Sequence, residues 1–188
     1  MPAVSNTSPI FNLACINRLP LLPEQFSDVW IPQAVDDELR KIPDKLTRQT
    51  VEQGIQDGWL KTRMASNASL VSLLMAEIHL GEAEAIALAL EMKAARVLID
   101  ERDGRLRARQ LGLQVTGVLG ILLRAKMTGR LQAVRPEIQA LRTEAHFFVA
   151  PAMEAAILAQ AGEWALPTLP LGIPLLSSRP SPSPELDN

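Results

Sequence analysis

Brief β-type runs separated by helix-length segments constrain this chain more than any other feature. Val29-Trp30-Ile31, Trp59-Leu60-Lys61-Thr62, Arg96-Val97-Leu98-Ile99 and Leu113 to Val115 are such runs, and the short apolar stretch Pro2 to Ser5 precedes them. Between them lie helix signals. Asn6-Thr7-Ser8-Pro9 opens a helix over Ile10 to Ile16, because proline fits the first helical turn. Pro32 opens a second helix carrying Val35, Asp36, Asp37, Glu38 and Leu39, and a polar helix is expected over Leu46 to Ile55, ending near Gly58. The alternation predicts an α/β fold with a mostly parallel sheet covered by helices on both faces.

Farther along, Asn67 to Ile78 reads as helix, with Leu80-Gly81 as an interruption. Glu82 to Ala95 is apolar nearly all round, which predicts a buried helix. Gly104 to Leu111 is a basic helix stopped by Gly112, and Gly117 to Lys126 is a helix capped by Gly129. Pro136 to Glu144 and Pro151 to Ala161 are expected as further helices, with Phe147-Phe148-Val149 as a last strand between them. Composition changes after Glu163. Residues 164–188 hold six of the fourteen prolines and four serines, so the expected division is one domain over 1–163 and a Pro/Ser-rich, disordered or loosely docked tail.

Composition narrows the chemistry. One cysteine excludes an internal disulfide and a thiolate zinc site, and two histidines, His79 and His146, are far apart in the chain. Any metal chemistry must therefore use carboxylates, which favour hard ions such as Mg²⁺ or Mn²⁺. A formal net charge of -2 tells against a basic nucleic-acid sleeve and leaves only a local patch for that purpose. No signal peptide is apparent and no stretch approaches the ~18 uninterrupted apolar residues of a membrane span, so a soluble cytoplasmic protein is the default expectation.

In an open parallel sheet, ligands bind beyond the carboxyl ends of the strands. Asn6 follows the first run, and Asp100 and Glu101 follow Arg96 to Ile99, while Glu38 and Glu82 lie in helices near such ends. Bland readings compete at each position. Asn6 or Ser8 could cap a helix, and Glu38 beside Asp36 and Asp37 could serve the helix dipole. Two acids ending a buried strand are costly unless something neutralises them. Arg102, Arg105 and Arg109 fall at helical spacings and could pair with those acids or contact RNA or DNA phosphates.

The order of these pieces resembles the PIN-domain ribonucleases, in particular small prokaryotic proteins similar to VapC-type toxins. The likeness is carried by Val4 to Ile10, Ile31-Pro32 with Val35 and Glu38-Leu39, Leu80-Gly81-Glu82-Ala83-Glu84-Ala85 and Leu98-Ile99-Asp100-Glu101-Arg102, and it ends near Glu163. It implies a three-layer α/β/α fold and a Mg²⁺- or Mn²⁺-dependent endoribonuclease. Asn6 stands where many PIN domains have their first aspartate, with Glu38, Glu82 and Asp100 as the following acids. Glu101 or Asp103 could take the fourth place instead, and Thr7 or Ser8 could hold a ligand or a water. The resemblance further implies an RNA substrate, a small antitoxin partner and a homodimer.

Two other readings stand beside it. One is a PIN-like module that has lost catalysis and acts by binding. The other is a receiver-like or phosphatase-like domain, which would want an aspartate nucleophile where this chain has Asn6.

Overall fold

The structure, a computed structural model, describes residues 1–163; the tail expected over 164–188 lies outside the described residues. Five strands form one sheet: β1 (Ala3–Ser5), β2 (Val29–Ile31), β3 (Leu60–Thr62), β4 (Arg96–Leu98) and β5 (Val115–Thr116). Their order is β3-β2-β1-β4-β5 and every pairing is parallel. The chain builds outward from β1 in one direction, then returns to the other side of β1 to lay down β4 and β5. The switch point therefore falls between β1 and β4, where the crevice of an open α/β sheet opens.

Helices cover both faces. On one side α1 (Thr7–Cys15), α2 (Leu21–Gln25), α3 (Gln33–Arg40), α4 (Lys45–Gln56), α8 (Val118–Met127), α9 (Arg135–Glu144) and α10 (Pro151–Gln160) pack with Ala3, Val29, Ile31, Leu60 and Leu98. On the other, α5 (Ala68–Leu74), α6 (Leu80–Glu91) and α7 (Arg102–Gln110) pack with Val4, Val97 and Ile99. Neighbouring residues of β1 and β4 enter opposite cores, as the two-residue period of a strand requires. Helix α6 carries the buried run Ala85 to Ala89 expected of it.

Two expectations are corrected and one element is new. Phe147 to Val149 is not a strand: His146 takes a left-handed φ of 51°, the Phe147 N–H donates to the Leu141 carbonyl, and Val149 packs among the helices. An aromatic and β-branched run expresses local preference, and this one makes no ladder pairing with β5, from which the groove lined by both separates it. Leu80-Gly81 does not interrupt a helix but forms the first turn of α6, while the preceding helix stops at Leu74. Helix α2 is unanticipated, being five residues long with Pro23 tolerated in its first turn.

Candidate functional site

The register places Ser5 beside Leu98, and the Asn6 N–H donates to the Leu98 carbonyl at 3.0 Å. The residues leaving β1 and β4 are thus side by side at the switch point. There a cleft of about 260 Å³ is lined by Asn6, Thr7, Ser8, Glu38, His79, Gly81, Glu82 and Glu101.

Each side chain arrives for a local reason. Asn6 occupies the N-cap position of α1 but makes no capping bond; its Nδ2 donates to Glu101 Oε2 at 2.8 Å instead. Ser8 Oγ donates to the other oxygen of Glu101, and Thr7 Oγ1 donates to Glu38 Oε2. The capping readings of Asn6 and Ser8 are therefore not realised. In α3 three consecutive acids fan out by about 100° per residue. Asp36 pairs with Arg40 at 3.0 Å, Asp37 accepts from Gln33 at 2.9 Å, and only Glu38 turns toward the cleft.

Glu82 enters from α6. Its Oε2 accepts the His79 N–H at 3.1 Å, while Oε1 is buried and has no hydrogen-bond partner. Glu84, two residues on, instead accepts the Ala34 N–H at the start of α3. Two glycines make room for the acids. A Cβ at Gly104 would collide with the Glu82 carboxylate, and one at Gly81 would press on Glu38 Oε1 at 3.3 Å.

Asp100 does not join this group. Its Oδ1 accepts the Val118 N–H at 2.7 Å and its Oδ2 accepts from Asn12 at 3.1 Å, so its carboxylate faces the start of α8. Glu101, the next residue, faces the cleft. Asp103 is exposed and does not line it, and Arg102, Arg105 and Arg109 lie on α7 with Arg102 and Arg105 bordering a neighbouring groove. Reading from the sequence set His79 aside and passed over Asn12 and Gly104. Only His79 left a signal there, as the residue directly before the Leu80-Gly81-Glu82 run.

Burial pushes the Glu82 carboxyl above the usual range, and the nearby charges of Glu101 and Asp103 push it further, against the His79 N–H bond. Burial also raises Asp100, to about 6, although the Val118 and Asn12 donors favour its ionised form. Arg105 is lowered by burial first and by Arg109 second.

Asn6 is 4% exposed and Glu82 5%, yet Asn6 Oδ1 and Glu82 Oε1 both lack a partner. A buried unpaired acceptor costs about 1–3 kcal/mol, so each of these two residues of the cleft calls for a cation or a donor. Among the described residues no three His, Cys, Asp or Glu side chains converge tightly enough to enclose an ion by themselves. A hard ion that keeps several waters needs only one or two carboxylates, so the residues present fit a hard divalent ion.

Fold and cleft together define an α/β/α protein with an oxygen-rich site at the carboxyl edge of a parallel sheet. A family model described as a PIN domain matches residues 2–163, and the chain belongs to the PIN-domain family. PIN domains are generally nucleases and typically use divalent metals. No curated protein and no solved structure matches the chain. Among the described residues no helix is long and apolar enough to cross a membrane.

Proposed function

We propose that the protein is a Mg²⁺- or Mn²⁺-dependent endoribonuclease, acting in the cytoplasm as the toxin of a VapC-type toxin–antitoxin pair and restrained by a small antitoxin protein. A homodimer is the assembly that goes with this reading. The observation that supports it most is the pair of buried, unpartnered oxygens, Asn6 Oδ1 and Glu82 Oε1, at the switch point.

The ion would be held by Asn6, Glu82 and Glu101, with Glu38 on the open side of the cleft. When bound, it would polarise a phosphate and lower the pKa of a water. The chain's own residues position the rest. Asn6 and Ser8 orient Glu101 from two sides, Thr7 orients Glu38, and the His79 N–H fixes Glu82. Glu38 is exposed and free on one oxygen to accept a proton from an attacking water. We assign the fourth acid to Glu101, because Asp100 is engaged at the start of α8.

A second reading has one observation in its favour. Asn6 brings an amide where a further carboxylate would add charge, and this suits a PIN-like module with weak catalysis that acts by binding RNA or protein. Incubating structured RNA with wild type, Glu101→Gln and Asp100→Asn, in Mn²⁺, Mg²⁺ and chelator, separates the two. The ribonuclease reading expects metal-dependent cleavage, reduced at least about tenfold by Glu101→Gln and little changed by Asp100→Asn. Cleavage indifferent to chelator and to Glu101→Gln would sink it. Absent cleavage with retained RNA or partner binding would favour the module.

A further inference from the structure

The turn that delivers Glu101 to the cleft borders a second hollow on its other side. This groove, about 760 Å³, runs between the start of α8 and the 147–153 segment, and its walls include Arg102, Arg105, Gly117, Phe147, Phe148 and Met153. Phe148 leaves 82% of its surface in water and Met153 52%. An aromatic ring that exposed, beside an apolar channel, marks a contact surface more than a packing accident. Arg102 is exposed and makes no ion pair among the described residues. Arg105 is fixed at the groove edge by donating to the Ile99 carbonyl at 2.9 Å.

We propose that this groove holds an unpaired nucleobase of an RNA strand whose neighbouring phosphate lies in the acid cleft. Phe148 is the stacking face and Arg102 the backbone contact. The proposal rests on the ribonuclease reading and names where that substrate is gripped.

Two arguments select this occupant. The first is continuity. Glu101 lines the cleft while Asp100 and Arg102 line the groove, so the two hollows are one residue apart along the chain. The second is chemical pairing. Apolar walls with an aromatic ring suit a base, and a guanidinium at the rim with no ion pair among the described residues suits its phosphate. An apolar protein segment would use the walls but leave Arg102 without a role.

The test is equilibrium binding of the full chain to a fluorescein-labelled eight-nucleotide single-stranded RNA, with chelator present so that no strand is cut. Phe148 is exposed, so its replacement does not threaten folding. Phe148→Ala should weaken binding roughly five- to hundredfold, the loss of one stacked base, and Phe148→Leu should do the same. Phe148→Trp should retain wild-type affinity. Removing the base at the stacked position should abolish the difference between wild type and Phe148→Ala. Arg102→Gln should weaken all sequences alike and lower the salt dependence by roughly 0.7 in slope.

Binding within twofold of wild type for Phe148→Ala overturns the proposal, as does an equal loss on the intact and abasic strands. Unchanged RNA binding with an altered sedimentation coefficient also overturns it, by giving the groove to a protein partner. The two readings fail differently. If Mn²⁺-loaded wild type does not cut RNA but binding still depends on Phe148, the groove stands and the cleavage reading falls. If wild type cuts RNA and Phe148→Ala leaves KM unchanged, the groove falls and the cleavage reading stands.

Discussion

Replacing Asn6 by aspartate sets a second carboxylate against one already there. In the wild type, Asn6 Nδ2 donates to Glu101 Oε2 at 2.8 Å. Asn6→Asp removes that bond, worth about 1.5–3 kcal/mol when the acceptor is charged. It also brings two negative charges to roughly 4 Å, a repulsion of about 4 kcal/mol at an effective dielectric of 20 and about 1 in bulk water. Glu101 is half-buried, so the total cost falls at about 3–5 kcal/mol without metal. For a chain of 188 residues each 1 kcal/mol shifts Tm by about 2–4 °C, so a loss of about 6–20 °C is expected in chelator. Bound Mn²⁺ offsets the repulsion, and a ligand at a hundred times its Kd contributes about 2.7 kcal/mol. The variant should therefore gain more from saturating Mn²⁺ than the wild type does. Differential scanning fluorimetry in chelator and in a Mn²⁺ series reads both quantities, and calorimetry should show tighter Mn²⁺ binding. An unchanged Tm in chelator together with an equal Mn²⁺ increment would refute the placement of Asn6 against Glu101.

Gly104→Ala should lower Tm modestly, because displacing the buried Glu82 carboxylate and pressing on Ile99 costs about 1–3 kcal/mol, against a helix-propensity gain in α7 of up to about 1 kcal/mol. Mn²⁺ affinity should fall about tenfold or more; unaltered affinity by calorimetry would show that Glu82 is no part of the ion's surroundings. The raised carboxyl of Asp100 predicts a pH effect. The native state holds this proton more tightly than the unfolded chain, so the stability it contributes is full below pH 4 and is lost as pH rises toward about 6. The span from 3.8 to about 6 corresponds to at most about 3 kcal/mol. Asp100→Asn should therefore gain on the wild type between pH 4 and pH 6.5 in urea titrations, and a relative loss over that range would show that the Val118 and Asn12 donors outweigh burial. Glu163 accepts the Val134 and Arg135 N–H groups at the start of α9 at 2.5 and 2.9 Å. Glu163→Ala should cost about 1–2 kcal/mol by thermal melting, whereas ending the chain after Glu163 should change Tm by less than about 2 °C; a large drop from that truncation would tie 164–188 to the fold.

How much of this was legible in the sequence depends on the range of the interaction involved. The alternation of strands and helices was legible because hydrophobic period and proline position act within a few residues. So was the gathering of Asn6, Glu38 and Glu82, since parallel topology brings strand ends together wherever the helices fall. Phe147 to Val149 was misread because strand pairing is non-local: the run has the right residues, but it packs among the helices and does not pair with the edge of β5. The opposite directions of Asp100 and Glu101 were hidden for a related reason. Past the end of β4 successive side chains point to opposite sides, and nothing local says which side is the cleft. That is decided by Val118 and Asn12, which claim Asp100 from elements 18 and 88 residues away. Gly81 read as a helix breaker and is a point of close approach, a role visible only once Glu38 is in place.

The stretch Asp100-Glu101-Arg102 faces both hollows, and this limits how the protein can change. Arg102 opens α7 and Glu101 stands just before it, so rotating one carries the other. A substitution that reshapes the groove for a different strand will tilt the acid that the cleft relies on. One that retunes the cleft will shift the guanidinium at the groove's rim. On the proposed function, selectivity and turnover are therefore inherited together, and variants selected for a new target should carry compensating changes in Asn6, Ser8 or Asn12, the side chains that anchor this turn.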